Sequence, residues 1–194
     1  MSARSTLEKL HGRTAAGVPR WAVRTAYVTS LTALPAGIWR IAAFTFDAPL
    51  LEPSTEPVGG DAILWWYVIV LSVISEALAF LAIGLVSEWG ERWPRWIPFL
   101  GGRPVPTLAA VIPAGLGAAA LMVLPYSLLM GAFGLGMTGE PSGLVTHGYQ
   151  TVLFWLCYLP LGLWGPLLAV LTVHYHRRRN RPAARPRPST ALAA

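Results

Sequence analysis

The stretch AILWWYVIVLSVISEALAFLAIGLV, residues 62–86, holds a single charged side chain, Glu76. A bilayer core about 30 Å thick takes roughly 20 helical residues to cross, and this stretch is longer. A helix on the surface of a soluble protein would show a polar residue every three or four positions; this one does not. Three more stretches read the same way: about 21–46, with Pro35 and Arg40; about 105–133, rich in small residues; and about 149–175. Gly/Pro-rich or charged sequence separates them. The predicted fold class is an all-α membrane protein with four transmembrane helices. A basic segment, 1–20, precedes the spans, and a basic tail, 177–194, follows them, too polar and Pro-rich to pack and so expected to be disordered.

Composition points the same way. Of 194 residues, 54% are hydrophobic and 12% charged, with a mean hydropathy of +0.51. A soluble domain carries about a quarter charged residues. The net charge of +6 would suggest nucleic acid in a soluble chain, but its distribution excludes that partner. Arg4, Lys9, Arg13, Arg20 and Arg24 precede the first span, and Arg92, Arg95 and Arg103 lie between the second and third. Arg177, Arg178, Arg179, Arg181, Arg185 and Arg187 follow the fourth. The connections after spans one and three hold Asp47, Glu52, Glu56, Asp61 and Glu140 and no Lys or Arg. The positive-inside rule then places both termini in the cytoplasm and the protein in a bacterial cytoplasmic membrane, with its basic segments against the anionic inner leaflet.

Arg outnumbers Lys fourteen to one, as in high-GC bacterial genomes. Cys157 is the sole cysteine, so neither an internal disulfide nor a Cys-based metal site can form. No short apolar segment with a small-residue cleavage site follows the basic start, so no signal peptide is expected to be removed. Leu31, Leu34 and Pro35 recur ninety residues later as Leu121, Leu124 and Pro125. Leu64 and Trp66 recur eighty-nine later as Leu153 and Trp155. The pattern suggests two repeated helical hairpins related by an axis along the membrane normal, against chance agreement between Leu-rich segments.

Two charges escape the sorting. Glu76 lies at mid-span, where an acid is costly and needs protein or water around it. Its depth matches Thr29, Ser30 and Thr32, whose hydroxyls are expected to bond it, with Arg24 reaching from below. It is a candidate for proton relay or cation binding, or a protonated carboxyl joining helices. Arg40 sits two turns from the outer end of span one. It is expected to snorkel to the outer headgroups or to pair with Asp47 or Asp61. The four carboxylates of residues 46–61 match no metal-loop spacing, and no metal or cofactor is implied. His174 and His176 lack the spacing that would bring both to one metal.

The most distinctive connection is WGERWPRWIPFLGGRPVP, residues 89–106. Trp89, Trp93 and Trp96 are spaced four and three, so one helical turn aligns them, and Pro94 and Pro98 stiffen it. Indoles prefer the headgroup level, while Arg92, Arg95 and Arg103 reach phosphates. The segment is expected to anchor the chain at the interface or to dock a partner. The run Trp89, Gly90, Pro94, Arg95, Trp96, Pro98, Leu100, Gly102, Arg103, Val105 and Pro106 resembles one in a group of uncharacterised multi-pass membrane proteins of high-GC bacteria. The resemblance implies the multi-pass topology and brings no catalytic residues.

Ala110, Ala114 and Ala118, with Gly117, follow the small-residue spacing that lets helices approach closely, within one chain or between copies. Pro35, Pro113, Pro125, Pro160 and Pro166 are expected to kink their helices. With no catalytic constellation, the leading expectation is a non-enzymatic structural or partner-binding membrane component. The alternatives are a small transporter or channel component using Glu76, and a membrane-embedded enzyme acting on a lipid or isoprenoid.

Overall fold

The structure is a computed structural model and describes residues 13–46, 48–50, 62–92, 101–140 and 148–180. The described residues are helical, with isolated bridges and no strand. The helices are α1 (Arg20–Leu31), α2 (Leu34–Thr45), α3 (Ala62–Leu81), α4 (Thr107–Leu121), α5 (Val123–Ala132), α6 (Tyr149–Gly162) and α7 (Trp164–Arg179). Two 3-10 turns, Ala82–Leu85 and Glu88–Gly90, follow α3.

Proline sets where the long segments break. It has no N–H for the carbonyl four residues back. α1 ends at Leu31, four before Pro35; α4 ends at Leu121, four before Pro125; α6 ends at Gly162, four before Pro166. At each break the chain tightens into a bond three residues apart: Thr32 N to Thr29 O (3.3 Å), Met122 N to Ala119 O (3.2 Å) and Leu163 N to Pro160 O (3.0 Å). Pro113 and Pro160 stay inside continuous helices and interrupt neither.

The helices therefore form four rods: α1–α2, α3 with its 3-10 extension, α4–α5, and α6–α7. The last three contain helical segments long and apolar enough to cross a membrane: Trp65–Leu85, Thr107–Ala132 and Tyr149–Arg179. The first rod is two helices of 12 residues each, and α1 carries Arg20 and Arg24. Where the sequence predicts one continuous helix, the structure has two that meet at residues 32–33.

Rod order follows from the packing. The most extensive interface is α4 against α7. α2 packs on α3 and α6, and α1 on α3 and α7. Gly37 faces Ser72, and Ala15 N–H donates to Val86 O at 2.9 Å, so the first two rods run antiparallel. Small residues allow the approaches. A Cβ on Gly165 would lie 2.9 Å from the Leu121 backbone, and one on Gly162 would lie 2.8 Å from the Leu128 side chain. In lipid, such packing replaces the hydrophobic effect as the force between helices.

Two buried clusters result. One joins Ala22, Ala26, Ala82, Leu85, Leu171 and Tyr175 near the basic end. The other joins Ala33, Ala36, Ala79, Leu161 and Trp164 at mid-height. Nearby, Trp39 meets Phe44, Phe154 and Tyr158 edge-to-face, with centroids 5.4–6.1 Å apart. The α4–α5 rod adds no fully buried residue to these clusters, although Ala110 and Ala114 pack against the first and Leu121 and Leu124 against the second. Only 6% of its apolar window is buried, and Leu108, Ile112, Leu116, Leu129 and Phe133 are all exposed. α3 and α4 share no comparable interface; α1–α2 and α6–α7 lie between their rods, and the 3-10 turn after α3 also packs on α7.

Candidate functional site

At the basic end, segments distant in sequence are tied into a cap. Residues 13–15 pair with 86–88: Thr14 bridges Ser87, and Glu88 N–H donates to Arg13 O at 2.9 Å. Arg92 bridges Pro104, and Val105 N–H donates to Glu91 O at 2.8 Å. The end of α7 closes both pairings. Arg178 donates to Ala16 O (3.0 Å) and to Glu91 Oε1 (2.6 Å). Arg179 donates to Val105 O (2.7 Å), and its Nη1 lies 3.8 Å from Glu91 Oε2. Both guanidinium groups also lie near the Tyr175 ring, at 5.6 and 5.9 Å from its centroid.

This corrects the reading of Arg177, Arg178 and Arg179 as the start of an unpacked tail. They continue α7 as its last turn, where cations complement the helix dipole. The Arg178 side chain is only 11% exposed. Residues 181–194 lie outside those described.

Glycines let the cap close. A Cβ on Gly90 would run into the Gly84 carbonyl, and one on Gly84 would lie 2.7 Å from the Trp89 ring. Trp89 is thereby held against the chain and stacks on Phe80 at 6.3 Å. Trp89, Arg92 and Arg103 remain exposed at the cap surface. Trp93, Arg95 and Trp96, and with them the aligned-indole reading, lie outside the described residues.

Beside the cap is an apolar cleft of about 660 Å³ between α3 and α4. Leu78 and Leu81 form one wall and Ala110, Ala114 and Gly117 the other, with Trp164 and Leu168 at the back. Trp89 and Arg92 line its mouth at the cap. The small-residue stripe thus serves two purposes. Ala118 is buried, while Ala110 and Ala114 pack on the basic-end cluster and also leave room in the cleft.

Glu76 lies elsewhere, on α3 between Ser72, which faces Gly37, and the buried Ala79. Counting antiparallel from the Ser72–Gly37 contact brings it level with Ala33, at the break between α1 and α2. The expected hydroxyl bonds to Glu76 are not made. Thr29, Ser30 and Thr32 instead donate to Thr25 O (2.7 Å), Tyr27 O (2.9 Å) and Thr29 O (2.7 Å). Arg24 is exposed and does not pair with it. Among the described residues, no hydrogen bond or ion pair reaches Glu76.

Arg40 is half-buried on α2. Its Nε and one terminal nitrogen are buried without a hydrogen-bond partner, as is Trp39 Nε1. Its expected partners, Asp47 and Asp61, lie outside the described residues, as do Glu52 and Glu56. Among the described residues, no three His, Cys, Asp or Glu side chains gather as a metal site would require. His174 packs edge-to-face on Trp21 at 4.9 Å, and His176 faces Asn180.

Sequence reasoning missed Glu91, Arg178, Arg179, Gly84 and Gly90. The one local signal was Gly90, the second residue of the Trp89–Pro106 motif. The chain matches no protein-family model, no curated protein and no solved structure.

Proposed function

We propose that this chain is a four-span protein of a bacterial cytoplasmic membrane. Both termini are cytoplasmic, and its role is non-enzymatic: to hold a partner at the inner face. The carrying observation is the cap. Its internal charges are consumed by the Glu91–Arg178–Arg179 network, while Trp89, Arg92 and Arg103 stay exposed on an ordered surface. Indole and guanidinium groups held in this way are typical anchors of interfaces. The exposed apolar face of α4–α5 supports membrane embedding, because so large an apolar surface needs lipid or another protein to cover it. The hairpin repeat gains support from the breaks at Leu31 and Leu121, ninety residues apart.

The test is gentle detergent extraction from the native membrane. A stoichiometric complex that dissociates in the double variant Arg92→Glu, Arg103→Glu is expected. A lone monomer from the wild type overturns the reading.

One observation favours a transporter or channel component instead. Glu76 comes level with a helix break, and discontinuous helices beside an intramembrane acid are a feature of ion-coupled transporters. Proton or cation flux in liposomes, lost in Glu76→Gln, would establish it. Equal flux in both proteins would remove Glu76 from any mechanism.

A further inference from the structure

We propose that the cleft between α3 and α4 binds one acyl chain of an anionic phospholipid drawn from the leaflet at the basic end. The headgroup is held by Arg92 and Arg103. The inference rests on the membrane reading above.

Size selects the occupant. The α4 wall runs from Ala109 to Leu121, about 18 Å at 1.5 Å per residue. Half of a bilayer core about 30 Å thick is about 15 Å, so a chain entering at the cap ends near the bilayer centre. An apolar cleft of that length suits a hydrocarbon chain.

Charge selects the headgroup. Arg92 lines the mouth, and Arg103 adjoins Pro104, the residue bridged to Arg92. Glu91, next in sequence, is held by Arg178 at 2.6 Å and so does not neutralise Arg92. Trp89 completes the mouth with an indole, the ring that favours the headgroup level. Inside, the walls are Leu, Ala, Gly and Pro residues with Trp164, whose Nε1 is the one polar side-chain atom there and is buried without a hydrogen-bond partner.

The experiment uses the full chain in nanodiscs containing phosphatidylglycerol with a diazirine in one acyl chain, followed by mapping of adducts. Adducts are expected to concentrate on Leu78, Leu81 and Pro113 over the outward-facing Ile112 and Leu116. Ala114→Phe fills one wall and is expected to reduce cleft adducts at least ten-fold while sparing the outward ones. Leu78→Trp fills the opposite wall and should do the same should Ala114→Phe fail to fold. A basic residue near an anionic surface contributes about 1 kcal/mol, so Arg92→Ala should lower the preference for phosphatidylglycerol over phosphatidylcholine about five-fold.

Equal adduct density on cleft and outward residues, or cleft adducts unchanged by both filling variants, overturns the proposal. So does disulfide formation between copies carrying Ala114→Cys, since a second copy would then occupy the cleft. Loss of adducts from both faces overturns the membrane reading itself, which the outward residues report separately.

Discussion

Replacing Glu91 with Ala removes the acceptor that orients Arg178 at the cap. The pair is short, 2.6 Å, with side chains 11% and 23% exposed. An exposed ion pair contributes at most about 1 kcal/mol, and breaking a fully buried one costs about 3–5 kcal/mol. At this burial the expected cost is about 2 kcal/mol, or roughly a 30-fold rise in the opening equilibrium of the cap. The effect is local. Arg178 loses the partner that holds it over Ala16, so the pairing of residues 13–15 with 86–88 opens more often.

Hydrogen exchange reads this directly. The amides of Ala15 and Glu88, which donate to Val86 O and Arg13 O at 2.9 Å each, should exchange about 30-fold faster. Those of α2 should not change. A double-mutant cycle with Arg178→Ala isolates the pair, because Arg178→Ala also loses the bond to Ala16 O. A coupling energy below about 0.5 kcal/mol, the additivity of independent sites, would refute the clamp.

Gly90→Ala forces a methyl into the Gly84 carbonyl and should cost about 1–3 kcal/mol. Gly115→Ala, in open space within α4, should instead stabilise by about 0.5–1 kcal/mol. Thermal unfolding in detergent checks both, and the opposite ordering would contradict the packing. Gly165→Leu wedges α7 away from the Leu121 backbone and should lower the melting temperature. A cysteine pair across α4 and α7 should then lose its cross-linking efficiency. Trp39→Ala removes a side chain only 3% exposed and should cost about 3–5 kcal/mol, read as an earlier unfolding midpoint with no change in membrane insertion.

Hydropathy is a one-dimensional property, so the long apolar rods were legible from residues 62–86 outward. The breaks were half legible. All five prolines were expected to kink their helices; Pro35, Pro125 and Pro166 each follow a helix end by four residues, while Pro113 and Pro160 lie within α4 and α6. Rod order was not legible, because α4 and α7 meet through single glycines whose partners lie more than forty residues away. The clamp was hidden for the same reason. Glu91 and Arg178 are 87 positions apart, and a run of arginines beside prolines reads as a solvated tail. Glu76 shows the opposite error. The hydroxyls were placed at the right depth, but a hydroxyl in an apolar helix bonds its own backbone first.

The cap also sets an order of assembly. Residues 13–15 can pair with 86–88 once the first two rods exist, but Glu91 must wait for Arg178, 87 residues later. At synthesis rates of about 5–20 residues per second, that interval is roughly 4–17 s. During it the carboxylate at the end of α3 has no guanidinium to hold, and the walls of the cleft are incomplete. The last turn of α7 is therefore the latch of the whole bundle: the first helices are made early and locked late.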